Sequence, residues 1–243
     1  MAKEMKSLAK DTAIYGVSSI VGKFLNWMLV PLYTYTLEKQ SDYGVVTNLY
    51  AWTALLLVML TYGMETGYFR FANKDPENSP KVYGNTLISV GFTSLLFALI
   101  VAMFHQPIAN LLGYGNHSEF IWMLGFTVAM DAFASIPFAY LRFAKRPMVF
   151  AGMKLLYIAL NILLNLFFLI LCPWLNKVAP DSISWFYNPH YGVGYIFVSN
   201  LIATTLQTLI LLKYIFVARF TLDGKLLRQI LKYSYPLLFL GIA

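Results

Sequence analysis

The sequence predicts an all-α polytopic membrane helix bundle: six transmembrane helices and the start of a seventh. Three observations carry that prediction. Of 243 residues, 59% are hydrophobic and 12% charged, with a mean hydropathy of +0.63; soluble chains average about 25% charged, so a water-soluble fold of this size would lack the side chains to cover its surface. The apolar residues gather in continuous runs of about 20, long enough for a helix to cross the hydrocarbon core. Finally, those runs do not alternate as the strands of a closed spanning barrel must.

The elements follow in order. Residues 1–11 place Met1, Met5 and Leu8 at helical spacing among Lys3, Lys6 and Lys10, the pattern of a segment lying on the cytoplasmic surface. A basic start before an apolar run also marks a signal peptide. Here, however, the run extends from Thr12 to about Leu37 without a small-residue cleavage site, so a retained first span is expected. Spans are expected at 12–37, 43–66, 83–104, 119–141, 149–172 and 193–217. Residues 218–230 form a basic cytoplasmic connector. The run from Leu231 to Ala243 is too short to cross and reads as the opening of a second lobe.

Basic residues set the orientation. Lys3, Lys6 and Lys10 precede span one. Arg70, Lys74 and Lys81 lie between spans two and three, and Arg142, Lys145 and Arg146 between spans four and five. Lys213, Arg219, Lys225, Arg228 and Lys232 flank the connector after span six, whereas the opposite side has only Lys39 and Lys177. That asymmetry places the N-terminus in the cytoplasm. It also accounts for the net charge of +7 without a nucleic-acid partner. The outer connector 173–192 holds Trp174, Trp185, Tyr187 and Tyr191, rings suited to the headgroup region.

Several polar residues interrupt the spans. Thr12, Gly16, Ser19, Lys23 and Asn26 share one face of the first helix. Lys23 lies roughly 17 Å into the span, where an ammonium facing lipid would be costly. Thr127, Asp131, Ser135 and Arg142 follow one face of the fourth. Lys154, Tyr157, Asn161 and Asn165 follow one face of the fifth, and Asn200, Thr204 and Gln207 one face of the sixth. Tyr62, Thr66 and Arg70 close the second. Such stripes serve as glue between helices, and a Lys23–Asp131 ion pair would be one version of that. The pair leaves Lys154 unexplained, with a surplus of positive charge if Arg70 and Arg142 also point inward. A cavity with cationic walls suits a phosphate or diphosphate.

The sequence contains no phosphate loop, HExxH, GxSxG or Cys/His metal cluster. Neither a cofactor nor a metal is expected. His105, His117 and His190 fall in or beside outer connectors, and the single cysteine, Cys172, can form no intrachain disulfide.

Three blocks resemble a known family: PLYTYTLEKQSDYGVVTNLYAW (Pro31 to Trp52), YGMETGYFRFANK (Tyr62 to Lys74) and IPFAYLRFAKRPMVFAGMKLL (Ile136 to Leu156). They are similar to the helix junctions of polysaccharide flippases, the O-antigen and capsule repeat-unit exporters of the multidrug/oligosaccharidyl-lipid/polysaccharide superfamily. The resemblance implies two six-helix lobes, alternating access, and a cationic central cavity for an undecaprenyl-diphosphate oligosaccharide moved from inner to outer leaflet. It implies a bacterial inner-membrane location, lipid-linked oligosaccharide diphosphate and membrane lipids as partners, and no bond-breaking chemistry. Lys23 and Arg70 match the family's basic positions. Stripe geometry adds Asn26, Arg142, Lys154 and Asn161 as substrate-binding candidates, with Asp131 as a candidate for ion coupling. The chain supplies one lobe, residues 12–217, and the segment LKYSYPLLFLGIA restarts from the cytoplasmic side as a second repeat would. A fragment is expected, with the second lobe of the same full-length chain as partner; a dimer of two copies is the other reading. Two rival functions remain: a multidrug extruder of the same superfamily, which should carry buried acids without surplus bases, and a membrane glycan polymerase or ligase, which should carry a large basic outer loop.

Overall fold

A computed structural model describes residues 13–242 except 15, 18, 19, 22, 23, 26, 38 and 39. The described residues are helical, with no strand among them. Among the described residues, five helical stretches are long and apolar enough to cross a membrane: Ser41–Lys74, Ser79–Leu111, Gly115–Phe143, Pro147–Val178 and Val193–Val217. They match the expected second to sixth spans in order. Of the first expected span, 12–37, the continuously described part is α1, Leu29–Thr36; Lys23 and Asn26 lie outside the described residues.

The second span is longer than its apolar run and is broken. Helix α2, Gln40–Thr61, stops at Tyr62 and Gly63, whose φ angles are 31° and 71°. Glycine accepts that left-handed backbone without penalty and tyrosine does not. The Tyr62 ring is held there by a 2.8 Å hydrogen bond between its hydroxyl and that of Ser89. The chain then resumes as α3, Met64–Lys74. Helix α4, Ser79–Leu111, has 33 residues, or about 50 Å of helix against a hydrocarbon core of about 30 Å, so it projects beyond the bilayer. Helix α5 spans Ser118–Phe143 and α6 Pro147–Leu166. A π-helical turn, Phe167–Leu171, joins α6 to α7, Cys172–Val178. Pro173 explains that turn: it has no N–H for the carbonyl of residue 169, and its ring crowds that carbonyl, so the helix widens. The short α8, Pro180–Ile183, leads to α9, Val193–Leu211, which tightens into a 3-10 segment, Leu212–Val217.

The expected seventh run starts earlier than its apolar residues suggested. Helix α10 spans Gly224–Ile242, because Asp223 caps it: Oδ1 accepts from the backbone N–H groups of Lys225 and Leu226 at 3.0 and 3.1 Å.

The chain divides into two compact units. One comprises residues 1–50 and 147–204, the other 51–146 and 205–243. In the second unit, Met64, Tyr68, Tyr83, Val90, Ile136 and Ile230 form a fully buried core. Tyr68 packs edge-on against Tyr83 and Phe143 at 5.7 and 5.6 Å. The connector 218–223 is clamped to the start of α4. Buried Asn85 donates to the Thr221 carbonyl at 3.0 Å and accepts from the Asp223 N–H at 2.9 Å, and Lys81 pairs with Asp223 at 2.7 Å.

In the first unit, the connector 173–192 is folded onto the start of α9. Tyr187 stacks on Tyr195 at 5.2 Å and Tyr191 meets it edge-on at 5.1 Å, while the Tyr195 hydroxyl accepts from the Asn188 N–H. Those two tyrosines therefore form a small loop core. Trp174 and Trp185 stay exposed, as interfacial rings would.

Candidate functional site

The first unit holds a polar network inside apolar helices. Tyr157 of α6 donates its hydroxyl to Oδ1 of Asn200 on α9 at 2.7 Å, and the amide nitrogen of Asn200 donates to the Tyr50 hydroxyl of α2 at 3.1 Å. Thr204, one turn along α9, points its hydroxyl at the same Asn200 oxygen at 3.5 Å. On α6, Asn165 donates to both the carbonyl and the side-chain oxygen of Asn161 at 2.7 and 3.2 Å. The polar stripes of spans five and six thus meet, as helical spacing places them on single faces.

Beside this network lies a cavity of about 340 Å³. Leu29, Val30 and Tyr33 of α1 line it, with Tyr43, Val46, Thr47 and Tyr50 of α2, Tyr157 and Asn161 of α6, and Asn200 of α9. Among the described residues its polar groups are phenols, carboxamides and one hydroxyl, and no charged side chain lines it. Asn161 and Tyr33 are each 7% exposed. Among the described residues, the Asn161 amide nitrogen and the Tyr33 hydroxyl meet no hydrogen-bond partner. Carboxamides offer a donor and an acceptor side by side, and phenols pair an apolar face with a polar tip. Such a lining recognises neutral, hydroxyl-rich ligands.

The other sequence candidates are not gathered there. Arg142 forms an ion pair with Glu65 and lies over the Phe69 ring, 5.2 Å from its centre. Arg70 is exposed and stacks over Tyr233 at 4.3 Å. Asp131 and Lys154 are half-buried, each engaged with other groups. Thr127 and Ser135 return their hydroxyls to carbonyls of their own helix, at 2.8 and 2.7 Å. Among the described residues, no three His, Cys, Asp or Glu side chains come together as metal ligands.

Tyr33, Tyr43 and Tyr50 escape a sequence reading because aromatic rings in an apolar run look like core or lipid-facing residues. The only signal was the density of tyrosine in PLYTYTLEKQSDYGVVTNLY. A second cavity, about 860 Å³ in the second unit, also went unforeseen; Tyr62 and, from α10, Arg228, Gln229, Lys232 and Tyr235 line it.

The sequence profile of a family described as polysaccharide biosynthesis protein matches residues 37–177, a stretch containing α2 to α6 and six of the cavity residues. The chain belongs to this family. No curated protein and no solved structure gives a significant match. Family and apolar helices together establish a membrane protein of polysaccharide biosynthesis.

Proposed function

We propose that the full-length protein is a flippase that moves an undecaprenyl-diphosphate oligosaccharide from the inner to the outer leaflet of the bacterial inner membrane. Residues 12–217 are its N-terminal lobe of six spans, with the N-terminus cytoplasmic. Residues 218–223 are the connector, and the seventh helix, α10, opens a second lobe. The supporting observation is the phenol and carboxamide cavity set within spanning helices of a polysaccharide biosynthesis family member. A membrane enzyme needs groups that move protons or attack bonds, whereas this lining offers reversible hydrogen bonds. Movement of a glycan through the membrane requires binding groups that replace hydration without holding the cargo permanently.

Lys23, Arg70, Arg142 and Lys154 supply positive charge for the diphosphate, Asn26 and Asn161 hydrogen-bond the cargo, and Asp131 couples transport to an ion. Arg142 reaches the diphosphate by exchanging its Glu65 partner for phosphate oxygens, a bidentate match of the same kind. A multidrug extruder would place an acidic group on its cavity wall, and the described lining here has none. The test is surface-glycan complementation by the full-length protein with Lys23→Ala and Arg70→Ala at normal expression. Loss of surface glycan is expected; unchanged export would remove the cationic assignment.

A further inference from the structure

The cavity beside Asn200 and the one beside α10 differ in chemistry. That of the second unit carries Arg228 and Lys232, whereas the described residues that line that of the first unit are all neutral. We infer that the first-unit cavity is a sugar subsite: Tyr33, Tyr43, Tyr50, Tyr157, Asn161 and Asn200 hold one uncharged pyranose unit of the cargo, while its diphosphate binds elsewhere. This inference rests on the reading of the protein as a glycan carrier.

Three observations carry it. First, an anion in this cavity would lose its hydration and find no counter-charge among the described lining residues, which a low-dielectric site penalises heavily. Second, Asn161 and Tyr33 are residues more than nine-tenths buried, and both line the cavity. Among the described residues, the amide nitrogen of the first and the hydroxyl of the second find no partner. Buried polar groups are almost always satisfied; water satisfies these when the cavity is empty, and a sugar hydroxyl replaces it on binding. Third, the Tyr157–Asn200–Tyr50 chain fixes the orientation of the amide that a ligand would meet, so little ordering entropy remains to be lost. Tyrosine rings add rigid apolar faces for the C–H side of a pyranose. Ligand cavities run from roughly 300 to 1,000 Å³. At about 340 Å³ this one is large enough to admit a sugar unit.

The experiment is saturation-transfer NMR on the purified full-length protein in nanodiscs. The probes are free glucose, galactose and N-acetylglucosamine, with sugar-free undecaprenyl diphosphate as competitor. At least one sugar is expected to bind, with affinity about tenfold weaker in Asn161→Ala and severalfold weaker in Tyr157→Phe. Tyr157→Phe keeps the ring and removes one hydroxyl, so it preserves the fold; both variants should retain the wild-type helical circular dichroism. The competitor should leave the sugar signal in place. No signal from any sugar, equal signals in wild type and both variants, or displacement by the sugar-free diphosphate would overturn the subsite. Flipping of lipid-linked oligosaccharide without a sugar signal would discard the subsite and keep the transport reading. A sugar signal without flipping would do the reverse.

Discussion

Asn85 and Asp223 show how single polar side chains position an otherwise hydrophobic element. Asn85 is wholly buried and binds the connector through both ends of its carboxamide. Asn85→Ala strands the Thr221 carbonyl and the Asp223 N–H, and thermal unfolding should show a loss of about 1–2 kcal/mol; an unchanged midpoint would mean that the clamp carries no stability. Asp223 accepts from Lys81 and caps α10. The Lys81 hydrogen bond, first among the causes, holds its carboxyl below the usual carboxylate range. Because the folded-state value is depressed, the contribution is present above the unfolded value and fades as pH falls through the folded one. The stability difference between wild type and Asp223→Asn should therefore be constant near neutrality and shrink only below about pH 4. Arg142 and Glu65 are about a third exposed, so a double-mutant cycle to glutamine should return a coupling of about 1 kcal/mol or less.

The elements are joined by close approach rather than by bulk. Gly63 and Gly67 lie one turn apart, and α10 packs against them. A Cβ on Gly67 would come within 2.3 Å of the Ser234 hydroxyl and 2.9 Å of Ile230, and one on Gly63 within 2.7 Å of the Ser234 carbonyl. This small-xxx-small pair is the usual device for bringing membrane helices together. Gly67→Val should push α10 away and lower the unfolding temperature, whereas Thr66→Val, at an exposed neighbouring position, should change it little. Equal effects would refute the packing account. The motif was present in YGMETG, but the sequence alone drew attention to its aromatic and basic residues. The spans were legible because length and hydropathy dictate them. The break at Tyr62–Gly63 and the early start of α10 were not, since backbone φ and a capping carboxylate depend on local contacts that no apolar run reports. In the site, Tyr157, Asn161 and Asn200 could be read from periodicity. Their tyrosine partners could not, because a ring in an apolar run has the same pattern whether it faces lipid, core or a cavity.

For the molecule as a whole, the family match and the five apolar helices establish a membrane component of polysaccharide biosynthesis, and the neutral cavity supports a carrier of glycan. The basic asymmetry gives a further expectation: single cysteines at residues 76 and 145 should be shielded from an impermeant thiol reagent in intact cells, and one at residue 182 should be labelled. The opposite pattern would invert the topology. The most direct test of the account is a reconstituted flipping measurement. Full-length protein in liposomes bearing fluorescent undecaprenyl-diphosphate oligosaccharide on one leaflet should move it to the other faster than protein-free liposomes, and Asn161→Ala should slow that movement about tenfold. Movement at the protein-free rate would contradict the account.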